Sequence, residues 1–231
     1  HQAIKIVALT GINRISIGGT LSQTDKLELA DRLIAELKNP SHHPWYQMRL
    51  VETLGRIDLA VDRESRPFIV QMLTEAVADR GRHWVVRTEA AKALGRAQIP
   101  ANVNLNKVVY EIAQLARDMV EGLNKKPSAF YWKHCFFNLY LAFQPLDAAE
   151  RAQKFGLLQN GGQYKPLIQS AYDLVAPLTR HVIGGGGPVA DGPIKQLDDW
   201  LKQNIPDNQS IAPNMPAINI PQARESRNRT R

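Results

Sequence analysis

The sequence predicts an all-α protein, a right-handed α-solenoid of about four to five helix pairs with an irregular C-terminal extension. Two observations predict this class. Apolar residues recur along most of the first 125 residues at the spacing of one face of an α-helix. The same segment also repeats itself after about 40 residues, and internal repeats of this length are typical of stacked helix pairs.

The repeat is clearest in "VRTEAAKALGR", residues 86–96. A shift of 40 residues places residues 44–57 on residues 84–97, so that Gly55 falls on Gly95. Alanines on the apolar face of this helix would let a neighbouring helix approach closely, and Gly95 is expected to cap the helix in a left-handed conformation. That apolar face consists of Val86, Ala90, Ala93, Leu94 and Ala97.

Each such first helix is followed by a loop and a predicted second helix. Residues 62–80 and residues 102–123 both carry one apolar stripe at helical spacing. Upstream, residues 22–40 predict a helix that opens at Ser22 or Thr24 and closes before Pro40. Residues 3–12 predict the end of another first helix.

The helix at 86–96 resembles the HEAT-repeat family, in the variety whose first helix reads Val-Arg-x-x-Ala-Ala-x-Ala-Leu-Gly. The copy at 46–56 departs from it, with Gln47 in place of the arginine. The resemblance is good over residues 40–123, fair over 1–39 and weak beyond. It implies a HEAT/armadillo-like fold and says almost nothing about function. The matching positions are Val86, Arg87, Ala90, Ala91, Ala93, Leu94 and Gly95.

Four regions are predicted along the chain. Residues 1–183 form the HEAT-like solenoid, which is degenerate after residue 124, and residues 184–192 form a glycine-rich linker. Residues 193–205 form a short terminal helix. Residues 206–231 are read as an extended or disordered basic tail, since its prolines forbid a helix, and its removal is expected to leave the stability of residues 1–205 nearly unchanged.

Composition and charge set broad limits. The chain is 44% hydrophobic and 22% charged, as globular proteins are, and no apolar run approaches the ~20 residues that span a bilayer. The net charge is +7, and four arginines lie in the last eight residues, but no block of five or six like charges demands a nucleic-acid partner. The chain begins with His1, which suggests a trimmed sequence, so the sequence predicts no compartment.

No catalytic residue, metal site or cofactor is predicted, because no zinc-ligand spacing, phosphate-binding loop or nucleophile motif is present. His42, His43 and His83 precede the first helices of successive repeats, and we interpret them as surface loop residues rather than metal ligands. Cys135 is interpreted as a buried, inert thiol. Its neighbour His134 points about 100° away on a helix and is a poor general base for it.

One edge of the repeats combines basic and aromatic side chains, Trp45, Arg82, Trp84 and Arg87. Such residues dock peptides or stack on nucleic-acid bases, so this edge is the candidate binding site. Structural roles are the favoured alternative. In HEAT repeats an arginine at the place of Arg87 commonly pairs with acidic groups between repeats, and a tryptophan at a repeat edge often belongs to the core.

The predicted function is that of a non-enzymatic scaffold or adaptor in a protein complex. Its N-terminal end exposes an uncapped apolar helix face, so the expected partner is another protein or preceding repeats of the same chain. Two alternatives remain: a nucleic-acid-binding protein similar to HEAT-like DNA glycosylases, and a HEAT-type chromophore lyase. Nucleic acid is the less favoured partner, because acidic residues interrupt the second helices.

Overall fold

The computed structural model describes residues 2–17, 21–153 and 155–218, and within these ranges the protein is all-helical, as predicted. The described chain contains no strand, only an isolated antiparallel bridge between Ser210 and Ala217. The helices are α1 (Gln2–Ile17), α2 (Gln23–Leu37), α3 (Pro44–Leu54), α4 (Phe68–Ala78), α5 (Trp84–Leu94), α6 (Leu105–Lys125), α7 (Trp132–Phe143), α8 (Ala148–Ala152), α9 (Leu157–Asn160), α10 (Lys165–Ile183) and α11 (Asp191–Gln203).

Local sequence signals explain where several helices begin. Ser22 caps α2 in a capping box, in which Asp25 N–H donates to the serine hydroxyl and Ser22 N–H donates to the Asp25 carboxylate. His43 and His83 cap α3 and α5, because the imidazole Nδ1 of each accepts a hydrogen bond from the backbone N–H two residues on. The repeat therefore extends to equivalent helix caps 40 residues apart.

The helices pack in two rows. One row stacks α1, α3, α5 and α7 in chain order, and behind it α4, α6 and α10 contact one another in turn. The helices that form close hairpins are not the predicted pairs. Instead α2 packs against α3, and α4 packs against α5, across the short loops that hold His43 and His83. The buried apolar side chains form one continuous core between the rows.

Two glycines set how closely the helices of the first row approach. Gly55 and Gly95 end α3 and α5 in right-handed conformations, with φ of −68° and −66°, so the predicted left-handed cap at Gly95 is wrong. What these positions require is space. A Cβ on Gly55 would lie 2.5 Å from the Cβ of Ala93, and a Cβ on Gly95 would lie 2.5 Å from the carbonyl oxygen of Ala142.

In the C-terminal part, the bounds of the terminal helix differ from the prediction. The chain from 127 to 145 yields α7, and α10 continues through Pro177. The terminal helix α11 spans Asp191–Gln203, whereas 193–205 was predicted, and it packs against α6 and α10. It is therefore part of the packed body rather than an appendage beyond a free linker.

Residues 206–218, called the arm below, are non-helical, as predicted, but they are packed rather than disordered and fold back on themselves through the Ser210–Ala217 bridge. The arm lies against α4 and α6, and its Ile211, Ala212 and Ile218 are buried. Asn104 N–H donates to Ile211 O at 2.7 Å, and Lys107 Nζ donates to Gln209 Oε1 at 2.6 Å. The prolines do forbid a helix, but they do not prevent packing. The basic residues predicted at 224–231 lie outside the described residues.

We predict that Gly95→Ala destabilises the protein by roughly 1–3 kcal/mol, because the new methyl group meets the Ala142 backbone, which cannot move independently of α7. The measurement is the free energy of unfolding in urea. Gly11→Ala is the matched control, since nothing lies within 4 Å of a Cβ there and alanine favours helix α1. Equal stability of the two variants would contradict this account of the stacking.

Candidate interaction surface

The predicted edge of Trp45, Arg82, Trp84 and Arg87 does not form one exposed surface. Trp45, in the first turn of α3, is 41% exposed. The other three side chains make internal contacts that explain their presence without a partner. The alternative interpretation of these residues, as structural ones, fits the geometry better than a shared binding edge.

Arg87 is buried between three helices and only 2% exposed. Its Nε donates to Val77 O at 2.9 Å, at the end of α4, and its Nη2 donates to Asp118 of α6 at 3.1 Å. Burial lowers the pKa of Arg87, and the Asp118 carboxylate opposes that shift. Asp118 also receives Arg80, so one carboxylate ties the α4–α5 loop and α5 to α6.

Arg82 forms hydrogen bonds to α2 and α3, the helices that precede its own loop. Its Nη1 donates to Leu37 O at 3.2 Å and to Gln47 Oε1 at 3.0 Å, so a guanidinium satisfies the C-terminal end of α2. Trp84 packs beside Trp132 of α7, with ring centroids 5.5 Å apart, and both rings cover Gly122 of α6. These contacts join helices rather than present a docking surface.

We predict that Arg87→Ala costs about 3–5 kcal/mol, since it leaves a carbonyl and a largely buried carboxylate without their shared donor. Arg63→Ala, at an exposed arginine in the loop after α3, is the control and should change stability by less than about 0.5 kcal/mol. Chemical denaturation measures both. A small effect of Arg87→Ala, with helicity unchanged, would return Arg87 to the list of binding residues.

The three loop histidines are capping and pairing residues. Beyond the caps at His43 and His83, His42 Nε2 lies 2.8 Å from the Glu36 carboxylate, and its ring packs edge-on against Tyr46. Burial lowers the pKa of His83, which keeps its Nδ1 free to accept the cap hydrogen bond. Within the described ranges, no three His, Cys, Asp or Glu side chains gather in a way that would hold a metal ion.

Cys135 is a buried free thiol, as predicted. Burial raises its pKa to about 12, and a hydrogen bond with Thr88 opposes this only in part. His134 interacts with Asn138, one turn further along α7. The pair therefore lacks the geometry of a nucleophile and its base.

We predict that Cys135 resists alkylation in the folded protein. With a pKa of about 12, a fraction of about one in ten thousand is thiolate at pH 8, and the sulfur is covered. Iodoacetamide labelling followed by mass spectrometry should give modification only after addition of guanidinium chloride. Rapid labelling without denaturant would mean that α7 opens and that Cys135 is accessible.

The apolar surface most suited to a partner is a groove of about 440 Å³ between α7 and α10. Phe137 and Ile183 form its two sides and are 37% and 41% exposed, and Leu146 is exposed at one end. Asp173 and Arg180 lie on α10 along its rim, so apolar walls are flanked by one charge of each sign. Among the described helices, α7 packs mainly against α5 and α10, and none continues the first row beyond α7.

A polar cluster lies within the groove. Gln144 Nε2 donates to the Tyr172 hydroxyl at 2.9 Å and also contacts the Tyr140 hydroxyl, so three side chains share one network. Burial and the neighbouring Tyr140 hydroxyl raise the pKa of Tyr172 to about 12. The Tyr172 phenol is therefore neutral near pH 7 and can orient a polar group of a ligand by hydrogen bonding.

Sequence reasoning missed this groove. An exposed aromatic stripe on α7 can be seen only once its buried face is known. At the other end of the first row, α1 leaves Ile4 and Val7 exposed, as expected of an uncovered apolar face. That another protein or preceding repeats of the chain cover this face remains a prediction.

No protein-family model, no curated protein and no solved structure matches the chain. The helices themselves define the class of the protein, which is an all-α chain. None of the described helices is both long and apolar enough to cross a membrane.

Proposed function

We propose that this protein is a HEAT-like α-solenoid that acts as a protein-binding adaptor through the groove between α7 and α10. The ordered first row and the close contacts at Gly55 and Gly95 support the repeat interpretation. So does the hydrogen bond from Gln98 Nε2 to Asp58 Oδ1 at 2.7 Å, which joins equivalent loop positions 40 residues apart. Stacked repeats with such register build long ridged surfaces, which other proteins can bind.

The observation that carries the adaptor function is the exposure of Phe137, Leu146 and Ile183 around one groove. Large apolar side chains clustered on a surface favour association, and buried aromatic anchors dominate the binding energy of protein interfaces. The groove runs between two helices, which suits the apolar face of a third helix. Asp173 and Arg180 would orient a partner helix that carries a cation and an anion about two turns apart.

Nucleic acid is the weaker candidate. Arg82 and Arg87, the two arginines that suggested it, are occupied by Leu37 O, Val77 O and Asp118. The α7–α10 groove presents one arginine against one aspartate rather than a basic track. A chromophore lyase rests on the family resemblance alone, and absorbance on mixing with a bilin would test it.

We predict that the partner contacts Phe137 directly. Phe137 is replaced by the photo-crosslinking residue p-benzoylphenylalanine, and the purified protein is irradiated in native extract. Mass spectrometry should then identify one predominant protein. With that partner purified, Phe137→Ala should weaken binding by ~2 kcal/mol, about 30-fold, without changing the thermal midpoint.

Phe130 supplies the control, since it is 84% exposed in the loop before α7 and does not line the groove. The same crosslinker at position 130 should not capture the partner, and Ile183→Asp should abolish capture at position 137. Identical products from both positions would argue against a groove-specific partner. Crosslinking to nucleic acid, with affinity that falls steeply with salt, would favour the alternative function.

A further inference from the structure

A second binding surface lies on the opposite row of helices, beneath the arm. The arm is not helical. It lies against α4 and the start of α6 as a short hairpin, closed by the Ser210–Ala217 bridge and by Ile218 N–H, which donates to Gln209 O at 3.0 Å. Its backbone carbonyls accept hydrogen bonds at two points, from Asn104 N–H to Ile211 O and from the Gln71 amide to Pro216 O. Ile211 and Ile218 supply the buried apolar anchors.

The floor of this arm groove is charged. Lys107 and Glu111 of α6 are each 1% exposed, and Lys107 Nζ lies 2.6 Å from Glu111 Oε1. The arm completes the site, because Gln209 Oε1 accepts from the same ammonium at 2.6 Å. Among the described residues, nothing donates to Glu111 Oε2, which is also buried. A buried acceptor without a donor is costly, so the arm leaves part of the site unsatisfied.

The contacts between arm and groove are those that a separate peptide would make. They use backbone carbonyls, one amide side chain and apolar anchors, and none of them depends on the covalent link to α11. That link runs through Ile205, which is 61% exposed and takes no part in the packing of the arm. The side chain of Ile205 therefore does not hold the arm in the groove.

We propose that the α4–α6 groove is a peptide-binding site, filled in cis by the arm, for a hairpin-forming segment of another protein. The groove specifies that segment: a Gln or Asn to meet Lys107, an Ile-Ala pair two residues on, and a turn directly after that pair, as the arm makes where Met215 N–H donates to Ala212 O. A neutral amide suits the floor, because a second carboxylate would face Glu111. A segment that also donates to Glu111 Oε2 gains a bond that the arm lacks and can displace it.

This site is separate from the α7–α10 groove, so either proposal can fail alone. The probe is a fluorescein-labelled peptide of residues 206–218, and the readout is fluorescence anisotropy. The full chain carries Ile211→Asp, which removes the central anchor and releases the arm. Ile205→Asp is the matched control, since it places the same charge at an exposed position six residues before Ile211 and touches no anchor.

The peptide should bind the Ile211→Asp chain saturably and should bind the wild type and the Ile205→Asp chain at least tenfold more weakly. This difference follows because a tethered arm competes at an effective concentration near the millimolar range. A peptide with Ile211→Asp should not bind. Absence of binding to a folded Ile211→Asp chain, or equal binding to all three chains, would overturn the proposal.

Changing the charge of one residue in the peptide and of one in the chain tests whether the peptide binds at Lys107. A Gln209→Glu peptide should bind the Ile211→Asp chain more weakly, and binding should recover when Glu111→Gln is added to that chain. Failure of that recovery would mean that the peptide binds elsewhere. If light scattering showed that the wild type forms a dimer by exchanging arms, the occupant would be a second copy and the external partner would be rejected.

The Ile211→Asp chain is first checked by circular dichroism. If it does not fold, a protease site inserted after Asn204 is cleaved in the folded protein, and the cut arm is washed out. A body that keeps its helicity and rebinds the peptide supports the proposal. A body that unfolds as the arm departs would make the arm a structural element and would refute it.

Discussion

The close approach of the first-row helices is the constraint on which the rest of the structure depends. Gly55 and Gly95 leave no room for a Cβ against Ala93 and Ala142, so the spacing between α3, α5 and α7 is fixed at backbone contact. The loops that follow α3 and α5 lie together, and Gln98 of one donates to Asp58 of the other. α10 packs beside α7, with the groove between them.

Internal ionic contacts also fix the relative positions of the helices. Arg87, Arg80 and Asp118 join the end of α4 and the start of α5 to α6, and Arg82 satisfies the last carbonyls of α2. Buried pairs of this kind add less stability than apolar packing would, but each requires one geometry, because an unpaired buried charge is strongly unfavourable. The basic side chains of the predicted edge thus define helix positions, and few cations remain free on that edge.

The two candidate surfaces differ in whether they are exposed or already covered by the chain. In the α7–α10 groove, apolar side chains of both helices remain exposed. The α4–α6 groove is filled by the arm, a short hairpin that contributes an amide and two buried isoleucines. On the two proposals above, one surface would bind a helix and the other a hairpin, so the protein would join two partners of different structure.

The sequence by itself determined the helical class, most helix positions and the burial of Cys135. These features depend on periodicity and capping within a few residues. Only the tertiary structure decided that Gly95 serves close packing, that Arg82 and Arg87 turn inward, and that the arm is packed. Those outcomes rest on contacts such as Arg82 with Leu37 and Lys107 with Gln209, 45 and 102 residues apart. Such contacts follow from how the helices stack, and no local pattern in the chain encodes them.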